Sequence, residues 1–112
     1  MVKPVSRTYS QYSLNALELL GQLLREGRLS KAMTTTDLAA RAGISRALLQ
    51  RIERGDPGCA IGTVFEVAAI CGVPLFYPEQ RQLSSHLMLQ REKMALLPKA
   101  VRSRAKAVND DF

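Results

Sequence analysis

The sequence predicts an all-α domain of about five helices with flexible N- and C-terminal tails. Apolar residues recur at three- and four-residue intervals over successive segments, and glycine, proline and capping residues punctuate those segments where helices should stop or start. No run of strict apolar–polar alternation marks a strand. A chain of 112 residues suits one compact domain plus tails and leaves little room for a second core.

Residues 1–12 carry Pro, Ser and scattered charge without periodicity, which predicts a flexible N-terminal arm. Over residues 14–28, Leu14, Leu17, Leu20 and Leu24 recur at helical spacing, and Leu23 widens the stripe. Gly27 and the Arg28-Leu29-Ser30-Lys31 stretch are expected to end this first helix. A second helix opens at Thr34, whose hydroxyl can accept from early backbone N–H groups. Asp37, three residues on, adds the acidic half of a capping-box-like start. Gly43 tolerates the left-handed conformation that a helix stop requires. Ser45 then caps a third helix over about residues 46–54, stopped by Gly55-Asp56-Pro57-Gly58. A fourth runs over residues 61–71, with Val64, Val67, Ala68 and Cys71 inward and Gly72 closing it. After the apolar link Val73-Pro74-Leu75-Phe76-Tyr77, Pro78 is placed to start a fifth helix that reaches about Leu96, and Pro98 ends it. The expected division is therefore an arm (1–12), a four-helix domain (13–77), a C-terminal helix (78–97) and a basic-then-acidic tail (98–112).

Composition narrows the partner. A formal net charge of +6 favours a polyanion such as nucleic acid, or an acidic membrane surface. Aromatic residues make up 5% of the chain and Trp is missing, so the stacking platforms of single-strand and RNA binders are not expected. Duplex DNA fits better. Cys59 and Cys71 have no Cys or His at zinc-ligand spacing, and Cys71 reads as a core thiol in a reducing compartment. The polar N-terminal stretch lacks the apolar run of a signal peptide, and no apolar run is long enough to span a bilayer, so a cytoplasmic location is expected.

The informative segment is 34–55, TTTDLAARAGISRALLQRIERG. Two short helices joined by a turn at Gly43 have the spacing of a helix-turn-helix. Ala39 is small where the helices cross, and Leu38, Ile44, Leu49 and Ile52 pin one helix on the other. What remains is a polar edge of Arg46, Ala47, Gln50 and Arg51. In a major groove Arg can pair bidentately with guanine and Gln with adenine, while Ala meets a thymine methyl. Thr35 and Ser45, at helix N-termini, suit phosphate contacts that set register, as does Arg54 beyond the base-reading edge.

The chain resembles the XRE/Cro-type family of lambda-repressor-like helix-turn-helix domains over roughly residues 20–76. The matching segments are LGQLLREGR, MTTTDLAARAGIS, LLQRIERG and IGTVFEVAAICGVPLF. The resemblance implies an ion pair between an Arg of the first helix and a Glu near the end of the recognition helix. Arg28 and Glu53 occupy those positions, and their helical phases agree. The family usually has Gln where Thr35 stands, which implies a weaker phosphate contact there. It often has Ser or Thr near Ala60, so the start of the fourth helix lacks its usual cap. The C-terminal stretch MALLPKAVRSRAKAVNDDF resembles HipB-type antitoxins. That resemblance implies an autoregulating repressor of a type II toxin–antitoxin operon that also holds a HipA-type serine/threonine kinase. A free-standing XRE-family regulator without a toxin partner is the alternative.

His86, the only histidine, has no evident catalytic or metal partners and reads as a structural or surface residue. No cofactor, metal site or enzymatic activity is expected. Leu83, Leu87, Met94 and Leu97, with Leu89 and Leu96 beside them, make the fifth helix apolar over more than one face. That surface suits either packing on the domain's own core or a homodimer or partner contact. The run Lys99, Arg102, Arg104, Lys106 is either a solvated tail or an arm for DNA or a partner.

Overall fold

A computed structural model describes residues 8–101. They form five helices, α1 (Gln11–Ser30), α2 (Thr35–Ala42), α3 (Arg46–Glu53), α4 (Ile61–Cys71) and α5 (Gln80–Ala95), and no strand occurs among the described residues. The chain divides into two units between Pro78 and Glu79, with α1–α4 in the first and α5 in the second. Arg102, Arg104 and Lys106 lie outside the described residues, as does most of the expected N-terminal arm.

Helix α1 is longer at both ends than its apolar stripe suggests. Ser10 caps it, the Ser13 N–H donating to Ser10 Oγ at 3.2 Å, so residues 11 and 12 are helical rather than part of an arm. At the other end Gly27 lies inside the helix instead of ending it. A Cβ at Gly27 would stand 2.8 Å from the Cys71 carbonyl oxygen, so this glycine admits the end of α4 against α1. Contact between elements explains the residue where a local stop signal does not. The helix closes at Ser30, and Ala32 reverses the chain with φ 55°.

The second and third helices follow their local signals closely. Asp37 N–H donates to Thr34 Oγ1 and Thr34 N–H to Asp37 Oδ2, both at 3.0 Å, a complete capping box. Hydrogen bonding from the Thr34 backbone N–H, then from its hydroxyl, holds the Asp37 carboxyl below its usual range. Gly43, at φ 69°, ends α2 in the left-handed conformation. Ser45 caps α3 by accepting from the Leu48 N–H at 3.0 Å. Helix α4 starts after Ala60, which offers no side-chain cap, and is closed by Gly72. Helix α5 begins at Gln80, so Pro78 precedes the helix instead of opening it, and it ends at Ala95 with Leu96 as its C-cap, as expected.

The core of the first unit is Leu24, Met33, Leu38, Ala39, Leu49, Ile52, Val67, Ala68 and Cys71. Leu24, Leu38, Leu49 and Val67 are completely enclosed, one from each of α1–α4. Burial of that kind contributes roughly 1.5–3 kcal/mol per side chain. Leu14 and Leu23, both in the apolar stripe, are exposed, because the face of α1 that packs runs through Gly21, Leu24 and Arg28. Cys71 is buried, and desolvation pushes its thiol pKa up, as befits a core residue.

Candidate nucleic-acid interface

Helix α3 buries Leu49 and Ile52 and half-buries Leu48. The opposite side presents Arg46, Ala47, Gln50 and Arg54, all exposed, with Arg51 half-exposed at the edge. Positions 46, 50 and 54 recur every four residues and share one face, with 47 and 51 beside them. The Ser45 oxygen is taken by the Leu48 N–H, but its hydroxyl proton remains available to donate. Thr35, half-buried at the first position of α2, stands next to the cap rather than being the cap.

The far end of α3 is fixed by charge. Arg28 Nε donates to Glu53 Oε2 at 2.8 Å and Nη2 to Oε1 at 3.1 Å, a bidentate pair. Arg28 Nη1 donates to the Met33 carbonyl at 3.0 Å, so the turn after α1 is held by the same guanidinium. The two side chains retain only 8% and 9% of their exposure. The hydrogen bond to Glu53 outweighs desolvation and raises the Arg28 pKa above its ordinary value, so the guanidinium stays charged.

Backbone contact fixes the same end. A Cβ on Gly21 would lie 2.5 Å from the Glu53 carbonyl oxygen, and one on Gly55 2.8 Å from the Leu17 carbonyl oxygen. The last turn of α3 therefore sits directly on α1. Gly21 lay unremarked inside the leucine stripe. A glycine interrupting an apolar helical pattern is the signal that could have exposed it.

Arg51 is committed in a way its position in the sequence did not suggest. Its Nε donates to Asp56 Oδ2 at 2.9 Å, while the Gly58 N–H donates to Asp56 Oδ1 at 2.7 Å. The Arg51 bond, then the Gly58 N–H, hold the Asp56 carboxyl below its usual range, and Arg51 is raised in return. Asp56 was a turn residue in the sequence and nothing more.

On α5, Leu83, Leu87 and Met94 are exposed, as is Leu97 just beyond it, and no residue of the helix is buried. His86 is exposed on the same helix. No group of three or more His, Cys, Asp or Glu residues with metal-binding geometry occurs among the described residues. None of the described helices is long and apolar enough to cross a membrane.

Two short helices at a glycine turn, the second capped at its start, anchored at its end and polar on its outer edge, define a helix-turn-helix domain, a DNA-binding architecture. The chain belongs to the helix-turn-helix domain family, whose model matches residues 19–94, well over half its length. No curated protein and no solved structure matches it.

Proposed function

We propose that this chain is a sequence-specific, double-stranded-DNA-binding transcriptional repressor of the XRE/Cro type, binding its operator rather than catalysing a reaction. The observation that carries this reading is the outer edge of α3, where Arg46, Ala47 and Gln50 are exposed on a helix secured at both ends. Arg46, Gln50 and Arg51 read base edges, with Ala47 against a thymine methyl, while Thr35, Ser45 and Arg54 contact phosphates.

Arg46→Ala or Gln50→Ala should cost about 1–3 kcal/mol on the operator and relax preference at one position of each half-site. Arg54→Ala should weaken operator and random DNA alike and reduce the salt dependence of binding. Titration of labelled duplexes at several salt concentrations checks both. Equal losses on operator and random DNA for the Arg46 and Gln50 variants would remove their base-reading role.

A single short recognition helix buries too little surface for tight specific binding, so the repressor acts as a homodimer on a two-fold site. Support comes from α5, where Leu83, Leu87 and Met94 fall at i, i+4 and i+11 on one exposed face, with Leu97 just beyond. Sedimentation at micromolar concentration should give a dimer, and Leu87→Asp/Met94→Asp should give a monomer. A wild-type monomer, or a double variant that still dimerises fully, would rule out this contact.

The finer reading is a HipB-like antitoxin that represses its own operon in the cytoplasm and neutralises a HipA-type kinase. It rests on the resemblance of residues 94–112, most of which lie outside the described structure. Co-purification with the product of the adjacent gene tests it. A chain that binds its operator yet captures no kinase is the free-standing regulator instead.

A further inference from the structure

We propose that Asp56 is a positioning residue that clamps Arg51 so that only its two terminal nitrogens are presented to a guanine edge. The proposal rests on α3 being the recognition helix.

Asp56 belongs to a closed turn rather than to a loose surface pair. The Gly58 N–H holds Oδ1 at 2.7 Å, Arg51 Nε occupies Oδ2 at 2.9 Å, and the Asp56 N–H donates to the Arg51 carbonyl at 3.0 Å. The carboxylate is thus fixed by backbone on both sides of the side chain it grips. With Nε taken, no further hydrogen bond engages the Arg51 guanidinium among the described residues. Guanine O6 and N7 can be met by a guanidinium through Nε and one Nη, or end-on through both Nη nitrogens. Asp56 removes the first option and leaves the second. Gly58 preserves room for it, since a Cβ there would stand 3.3 Å from Arg51 Nη2.

Stability alone does not account for the arrangement. Both side chains are substantially exposed, at 43% and 34%, and ion pairs of that exposure contribute little to folding. A carboxylate beside a DNA-facing edge also repels phosphate, which weakens binding to any sequence. Holding a long, flexible fork in one orientation is the compensating gain, because less freedom is then lost on binding.

The two effects of Asp56 have opposite signs on specific and random DNA, and that separates them. The test is selection of sites from a randomised duplex library by the full-length wild-type, Arg51→Ala, Asp56→Ala and Asp56→Asn chains. Direct titration on random-sequence duplex DNA accompanies it. Wild type should enrich a guanine at one position of each half-site, and Arg51→Ala should erase it. Asp56→Ala should flatten the same position by about tenfold in discrimination. It should spare the positions read by Arg46 and Gln50, and binding to random DNA should be unchanged or tighter. Asp56→Asn, which keeps an acceptor, should retain part of the preference. Guanine selection that persists in Asp56→Ala but vanishes in Arg51→Ala overturns the clamp while leaving the function intact. Uniform loss at every position and on random DNA marks a purely structural role and also overturns it. A wild-type chain that enriches no site overturns the repressor reading, and this proposal with it.

Discussion

Glu53→Ala is expected to destabilise the first unit by about 3–5 kcal/mol, the loss seen when one partner of a buried pair is removed. The effect arises mainly from what remains. Arg28 would keep its charge and its bond to the Met33 carbonyl, but Nε and Nη2 would be left buried without acceptors. Neither nitrogen can reach water easily, because the Arg28 side chain retains only 8% of its exposure. Against a total stability of about 5–15 kcal/mol for a small domain, a loss of that size leaves a large unfolded fraction. Urea unfolding followed by circular dichroism measures it. Arg28→Met/Glu53→Leu, which removes both charges and keeps the volume, should recover most of the loss. A change of only a few tenths of a kcal/mol in Glu53→Ala would mean that the pair contributes nothing to the fold.

Gly21→Ala should destabilise by about 2–3 kcal/mol or more, although alanine is the better helix former. In an open helix position the substitution would stabilise by about 1 kcal/mol. At Gly21 the added Cβ meets the Glu53 carbonyl oxygen at 2.5 Å and the Ile52 carbonyl oxygen at 2.8 Å. These are backbone atoms and cannot rotate aside, so α1 and α3 must separate, and the Arg28–Glu53 bonds stretch with them. Gly62, inside α4, provides the control, because nothing lies within 4 Å of a Cβ built there. Gly62→Ala should leave stability unchanged or raise it by up to about 1 kcal/mol. The contrast in sign between the two glycines is read from paired denaturation curves. A stabilised Gly21→Ala would show that the helices have room to spare.

Much of the recognition unit was legible because its signals are local. Thr34 with Asp37, Gly43, Ser45 and Gly72 each act within four residues of the helix end they define, and the structure places helix ends at all of them. The exposed edge of α3 was legible for the same reason, since Leu49 and Ile52 mark the buried face and leave Arg46, Ala47 and Gln50 opposite. The extent of α1 was less so. Its helix continues through Gly27, where a cost of about 1 kcal/mol is offset by packing against the end of α4. Leu14 and Leu23 end up exposed, because a wide leucine stripe does not say which part of it will meet a neighbour.

By itself the sequence determined the order of the helices, the caps of α2 and α3 and the polar edge of α3. Each depends on hydrogen bonds or periodicities that close within a turn or two of chain. Only the tertiary structure decided how α3 is held, with Gly21 under its last turn and Met33 completing the bonds of Arg28. It likewise decided that Asp56 grips Arg51 through Nε while its other oxygen is held by the chain beyond. Those contacts turn on distances of a few tenths of an ångström between atoms whose separation follows from the path of the whole backbone, and no local pattern of residue types encodes such a distance.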